Sequence, residues 1–337
     1  MTIKDIAARA GVSKSTVSRV INNAGYVNAQ TRQKVEAVIR ELNFLPSASA
    51  RSLSRQETSA VGVLIPEIDN SFFGEALRGI LEIIDENDLT LICCDTDNNA
   101  AREEKALRML KGQRVRGIIL TPAVDYPDPE EAGKVQRLIE DLNVPVVQMD
   151  REFAGAGWDG VFYENKASAY AATEILIEEG CRKIGIITGD LKLKIARERF
   201  LGYKAALADH GIPMEEDFIY QGDFTIETAY RLTRDMLSAD RLPEGMLTCN
   251  NRTSLGFIKG LRERNMRPGR EIAAIGIDHI PVLDVIGYDY SYVTRDTVEM
   301  GREAMRLLLG RIEEPDRPAR TVMMPYKLAL KGSERKR

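Results

Sequence analysis

Four cysteines in 337 residues are too few for a disulfide framework, and none has the C-x-x-C spacing of a zinc site. Cys93 and Cys94 are adjacent in an apolar run, while Cys181 and Cys249 stand alone. All four read as buried, reduced thiols of a cytosolic protein. There are only two histidines, His210 and His279, and neither has a serine or cysteine partner in a recognisable motif. A Walker loop and a G-x-G-x-x-G fingerprint are also missing, so an enzyme is not expected, nor any metal or cofactor. No run of 18 apolar residues occurs, and the N-terminus lacks a charged-then-apolar leader. The expectation is a cytoplasmic protein with no membrane partner.

What the chain does have is a charge asymmetry. Residues 1–56 hold nine Lys/Arg and three Asp/Glu, about +6, whereas the whole chain is −4. A basic N-terminal module on an acidic body is the pattern of a nucleic-acid reader. Helical periodicity agrees. Ile3, Ile6, Ala7 and Ala10 share one face of a first helix. Gly11 supplies a turn able to take positive φ, and Ser13 is a good cap for a second helix. In that helix Thr16, Val17 and Val20 pack inward, leaving Lys14, Ser15 and Arg19 outward with Ser18 beside them. A third helix is predicted over 29–43, with Val35, Val38, Ile39 and Leu42 buried. Three short helices in this order place the second in a major groove.

The stretch TIKDIAARAGVSKSTVSRVINN, with SASARSL after it, resembles the N-terminal signature of the lactose-repressor/galactose-repressor (LacI/GalR) family of transcription regulators. The match is dense over residues 2–53 and its pattern extends over essentially the whole chain. The resemblance implies a homodimer on a pseudo-palindromic double-stranded operator, here expected to have a central CG. It implies that Lys14 and Ser15 read base edges and that Arg19 contacts guanine, a bidentate contact that discriminates by ~1–3 kcal/mol. It makes residues 47–58 a hinge that folds on DNA, with small Ala48 and Ala50 allowing close approach and Leu53 wedging into a base step. The residues expected at DNA are Lys14, Ser15, Thr16, Ser18, Arg19, Asn22, Ala50 and Leu53.

From Ala60 onward, short apolar runs such as AVGVLIP, GIILTP and KIGIIT alternate with amphipathic stretches. That pattern predicts parallel sheets covered on both faces. The fold class is therefore an all-α helix-turn-helix domain (1–46) plus an α/β core like a periplasmic binding protein, made of two parallel-sheet subdomains. Their expected limits are 59–162 plus 292–318, and 163–291 plus 319–332, with a polar tail at 333–337. The tail carries no heptads, which argues for a dimer rather than a tetramer.

Ligands in such folds sit at the carboxyl ends of strands. The residues expected at a sugar-like effector are Asn70, Phe72, Phe73, Asp150, Arg197, Arg199, Phe224, Asn250, Asp278 and Arg295. Of these, Arg199 aligns with the family's sugar-binding arginine. Phe224 falls where a ring commonly stacks on the ligand. Strand-end Asp and Asn also have a plainer role as caps of the next helix. Two departures stand out: the family's Asn-Asp pair reads Asn250-Asn251, followed by Arg252, and Arg295 replaces a common Gln. With Lys192 and Lys194 nearby, these cations favour an anionic effector, a sugar acid or sugar phosphate. The alternative is a corepressor-dependent regulator answering a non-sugar metabolite such as a nucleobase. A transport-type binding protein and an architectural DNA-bending protein are the remaining rivals. The sign of the effector's action stays open.

Overall fold

The computed structural model describes residues 2–21, 25–42 and 58–336, so Asn22, Ala50, Leu53 and most of the hinge lie outside the described residues. The chain divides into two compact units, residues 1–59 and 60–337.

The first unit holds α1 (Ile3–Ala10), α2 (Lys14–Ile21) and α3 (Ala29–Glu41). Thr2 and Asp5 form a capping box on α1, which ends at Gly11 with φ +63°. The Ser13 hydroxyl accepts the Thr16 N–H at 3.1 Å, capping α2 as its position predicts. Asn28 caps α3 through the Thr31 N–H. Ile6, Ala7, Ala10, Val17, Val20, Val35 and Val38 form the small core, with Ile39 and Leu42 packed against it. Thr16 is only half-buried, because its side chain hydrogen-bonds to Ser13 at the surface.

The second unit contains two six-stranded sheets. One runs β2-β1-β3-β4-β5-β11, all parallel. Its strands are β1 (Ala60–Ile65), β2 (Thr90–Asp95), β3 (Ile118–Leu120), β4 (Val146–Met149), β5 (Asp159–Tyr163) and β11 (Thr321–Met324). Helices α4 (Ser71–Glu86), α5 (Ala100–Gln113), α6 (Pro129–Glu140) and α12 (Thr297–Glu313) pack on it. The other sheet runs β7-β6-β8-β9-β10-β12, parallel except for antiparallel β12. Its strands are β6 (Ile184–Ile187), β7 (Ile219–Tyr220), β8 (Gly245–Thr248), β9 (Ala273–Ile277), β10 (Ser291–Arg295) and β12 (Tyr326–Ala329). With it go α7 (Asn165–Glu178), α8 (Lys194–Asp209), α9 (Ile226–Leu237), α10 (Asn251–Glu263) and α11 (Pro281–Val285). The central strands are buried throughout, as continuous apolar runs require when both faces are covered.

Three parts of the expectation are corrected. Strand β10 belongs to the second sheet, so that subdomain extends through Arg295, and the chain returns to the first with α12. The stretch 319–332, expected in the second subdomain, is divided between the two sheets, β11 in the first and β12 in the second. Pro325 has no N–H to donate, and the chain switches from the first sheet to the second at that point. Residues 333–334 are not a free tail: Ser333 and Glu334 are buried, and the Ser291 N–H donates to the Ser333 hydroxyl at 2.7 Å. One thiol also differs, since Cys93 is exposed. It lies on an edge strand of which only one neighbour covers the backbone.

Three crossovers therefore join the subdomains, at 163–165, 295–297 and 324–326. The Tyr163 hydroxyl donates to the Asp296 carbonyl at 3.0 Å, tying the first two together.

Candidate functional site

On α2, Lys14, Ser15 and Arg19 are exposed and Ser18 is half-buried, while Val17 and Val20 face the core. The helix thus presents a polar, basic strip that the three-helix packing leaves uncovered.

In the second unit, the carboxyl ends of the strands of both sheets meet at one cavity of about 460 Å³. It is lined by Asn70, Phe72, Phe73, Asp150, Arg199, Phe224, Asn250, Asp278 and Arg295, nine of the ten residues expected there. Each follows or ends a strand, or opens a helix. The backbone is unusual at three of them: Asp150, Phe224 and Asp278 have φ of +63°, +69° and +73°. Such left-handed conformations are rare for a ring-bearing residue and turn these side chains inward. A Cβ on Gly189 would lie 2.1 Å from the Phe224 ring, so only glycine lets the ring lie there.

Arg295 sits at the centre. Its Nε donates to Asp278 Oδ1 at 2.8 Å, and its Nη1 is 3.8 Å from Asp150 Oδ1. The rings of Phe72 and Tyr163 flank the guanidinium carbon at 4.8 and 4.4 Å from their centroids. Burial alone would lower its pKa, yet the Asp278 and Asp150 carboxylates more than offset that and hold it above the ordinary arginine value. Arg199 donates to Asn165 Oδ1 at 2.9 Å and to the Cys249 carbonyl at 2.5 Å. Burial lowers its pKa, and so does the nearby Arg295 charge. Three buried atoms of this wall have no hydrogen-bond partner in the protein: Asp150 Oδ1, an acceptor, and two donors, Arg295 Nη1 and Arg151 Nε.

The capping role and the pocket role coincide at Asn70 and Asn250. Asn70 caps α4 through the Phe72 N–H, and Asn250 caps α10 through the Thr253 N–H. Asn251 does not extend the wall as an acid would. Its Nδ2 donates across the cleft to Asn70 Oδ1 at 2.9 Å and to the Ser71 hydroxyl at 3.0 Å.

Arg197 is the expected residue that the fold places elsewhere. It is one position off the inward face of α8, half exposed, and its Nη2 reaches Asp125 at 3.0 Å. Lys192 is exposed, and Lys194 is paired with Glu152 at the cleft rim. Neither lysine lines the cavity. Sequence reasoning missed most of its acids. Glu67, Asp69, Asp95, Asp97, Asp190 and Asp223 join Asp150 and Asp278, making eight carboxylates against four arginines. The arginines are engaged: Arg151 donates to Asn98 Oδ1 and to the Pro122 and Ala123 carbonyls, and Arg252 pairs with Glu67 and Asp69. Each missed acid ends a strand or comes shortly after one, which was the available signal. Among the described residues no cluster of His, Cys, Asp or Glu could hold a metal ion, and no helix is long and apolar enough to cross a membrane.

Residues 2–47 match the bacterial regulatory proteins of the lacI family, and residues 173–333 match the periplasmic binding protein-like domain. The chain is 32% identical to a ribose operon repressor of Haemophilus influenzae, over 98% of each chain. It is 31% identical to an HTH-type transcriptional repressor PurR of Pasteurella multocida, over 100% of this chain and 99% of that one. Among solved structures, the lac repressor dimer bound to operator and the anti-inducer ONPF superposes with a TM-score of 0.87 at 24% identity, covering 99% of both chains, a likeness of fold.

Proposed function

Because this chain belongs to the lacI family of bacterial regulatory proteins, DNA-binding repressors under small-molecule control rather than enzymes, we propose that its effector is a neutral sugar held between the two sheets. The observation that carries this reading is the unpartnered pair of Asp150 Oδ1 and Arg295 Nη1. An acceptor and a donor, buried side by side and brought from different subdomains, suit one hydroxyl, which both accepts and donates. The rings of Phe72, Phe73 and Phe224 suit the C–H faces of a sugar. The balance of charge favours a neutral sugar over a sugar acid or phosphate: carboxylates outnumber arginines two to one in the lining, and Arg252 and Arg295 already face carboxylates. A further anion would add repulsion in a low-dielectric site.

Lys14, Ser15 and Arg19 read the operator, with Thr16 and Ser18 beside them. The chain works as a homodimer on a pseudo-palindrome with a central CG, inside the cytoplasm where the chromosome is. Apolar side chains left exposed on and after α11, Val282, Val285 and Ile286, support self-association of the core. Effector and operator must alter each other's affinity by the same factor.

The relative named PurR keeps a purine in view as a second effector class. Calorimetric titration of the full chain with D-ribose, other neutral sugars, sugar phosphates, sugar acids and purine bases separates the readings. Binding of a neutral sugar, with a change in operator affinity, supports the proposal. Binding only of anionic sugars or only of a purine overturns it.

A further inference from the structure

Helix α8 carries Arg199 into the cavity, yet it opens without a cap of its own. Leu193 occupies the N-cap position and offers no side-chain oxygen. The Ala196 and Arg197 amides turn back to the Leu193 carbonyl. The Lys194 N–H instead donates to Asp125 Oδ2, and Asp125 stands in the loop after β3, on the other subdomain. The same oxygen accepts from Arg197 Nη2 at 3.0 Å, and the Asp125 side chain is only 16% exposed. Thus a carboxylate of the first subdomain caps a helix of the second.

The loop that bears Asp125 is braced from below. Glu103 on α5 is fully buried. Its two oxygens accept the Ala123 N–H and the Tyr126 hydroxyl, each at 2.5 Å. Burial pushes the Glu103 carboxyl up, while those two hydrogen bonds and the Arg151 charge oppose the shift. Arg151 holds the Pro122 and Ala123 carbonyls. Tyr126 has φ +47° and packs on Phe153 at 5.4 Å between centroids. Asp125 is therefore presented by a fixed loop rather than by a swinging one.

We infer that Asp125 is a positioning residue that caps α8 across the cleft, so that the first turn of the helix bearing Arg199 is complete only when the subdomains are closed. Opening the cleft strips the cap from Lys194, and the orphan amide raises the cost of the open state. The device rests on the reading of the cavity as the effector site only for its purpose; its geometry stands without it. Arg197, expected in the pocket, finds its role here as the second partner of Asp125.

Ligand-free full-length protein suffices to test this, so an error in the effector class does not touch the result. Hydrogen exchange of the peptide covering 193–199 and the small-angle scattering radius are compared for the parent, Asp125→Ala, Asp125→Asn and Arg197→Ala. Asparagine keeps a capping oxygen and loses the charge. The expected result is exchange about five- to tenfold faster and an expanded radius in Asp125→Ala, with Asp125→Asn and Arg197→Ala close to the parent. Unchanged exchange and radius in Asp125→Ala overturn the proposal. So does Asp125→Asn behaving like Asp125→Ala, which would make the contact an ion pair and not a cap.

Discussion

Arg19 and Arg295 are both arginines, and their surroundings set different tasks for them. Arg19 is exposed on α2, so its guanidinium fork is available to a base edge. Arg19→Ala is expected to weaken operator binding by about 1–3 kcal/mol and to relax preference at one base pair per half-site, read by fluorescence anisotropy on a set of operator variants. Arg295 is enclosed by two carboxylates and two rings, so its charge is already used. The sequence marked both residues. It offered Arg295 as a free cation, because the carboxylate Asp150 that faces it lies 145 positions away in the chain and reaches it only through the fold. Asp278 was visible as a neighbour in the pocket, but the Nε and Nη2 bonds that occupy Arg295 were not.

Helix crossings and strand ends decide the next scale. Helices α4 and α12 meet through Gly79 and Gly301, where a Cβ would lie 1.9 Å from the Val298 carbonyl oxygen and 2.0 Å from the Ala76 carbonyl oxygen. Alanine is ordinarily the better helix former by about 1 kcal/mol, yet backbone cannot yield at this crossing. Gly301→Ala is therefore expected to destabilise the core by about 1–3 kcal/mol in urea denaturation. At the start of β5, Asp159 is buried and accepts from Arg311 Nε at 2.8 Å and Nη2 at 3.1 Å, and from the Arg320 N–H at 2.7 Å. Burial would raise its pKa, but these hydrogen bonds and the Arg311 and Arg317 charges outweigh burial and hold it below 3.8. A carboxyl lowered in the folded state stabilises above its unfolded value, and that stability is lost as pH falls through the folded value. Asp159→Asn should cost about 3 kcal/mol at pH 7, with the gap to the parent closing as pH falls below about 3.8 in thermal melts. The elements themselves were legible from periodicity and turn residues. The break at Pro325 was not, since a proline at the end of one strand and a proline inside an edge strand look alike in sequence.

For the whole molecule, the arrangement of subdomains and copies matters. Val285 is 84% exposed on α11 among other apolar side chains. If the proposed homodimer meets there, Val285→Asp places like charges opposite each other, and sedimentation equilibrium should show a lower mass for the variant than for the parent at the same concentration. An unchanged dimer would move the interface elsewhere. The cleft is held by contacts from both sides, Asn251 with Asn70, Arg252 with Asp69, and Asp125 with Lys194, so its opening breaks several polar contacts together. That concerted loss is what a two-state sensor needs.

The sequence alone determined the helix-turn-helix pattern, the α/β alternation and nine residues that line the cavity, because these rest on local spacing: helical period, caps, and polar residues at strand ends. Tertiary structure alone decided which charges are already paired, which strand joins which sheet, and which helix borrows its cap from another subdomain. Those depend on contacts between residues tens to hundreds of positions apart, and one-dimensional spacing carries no information about which distant partner the folded chain brings near.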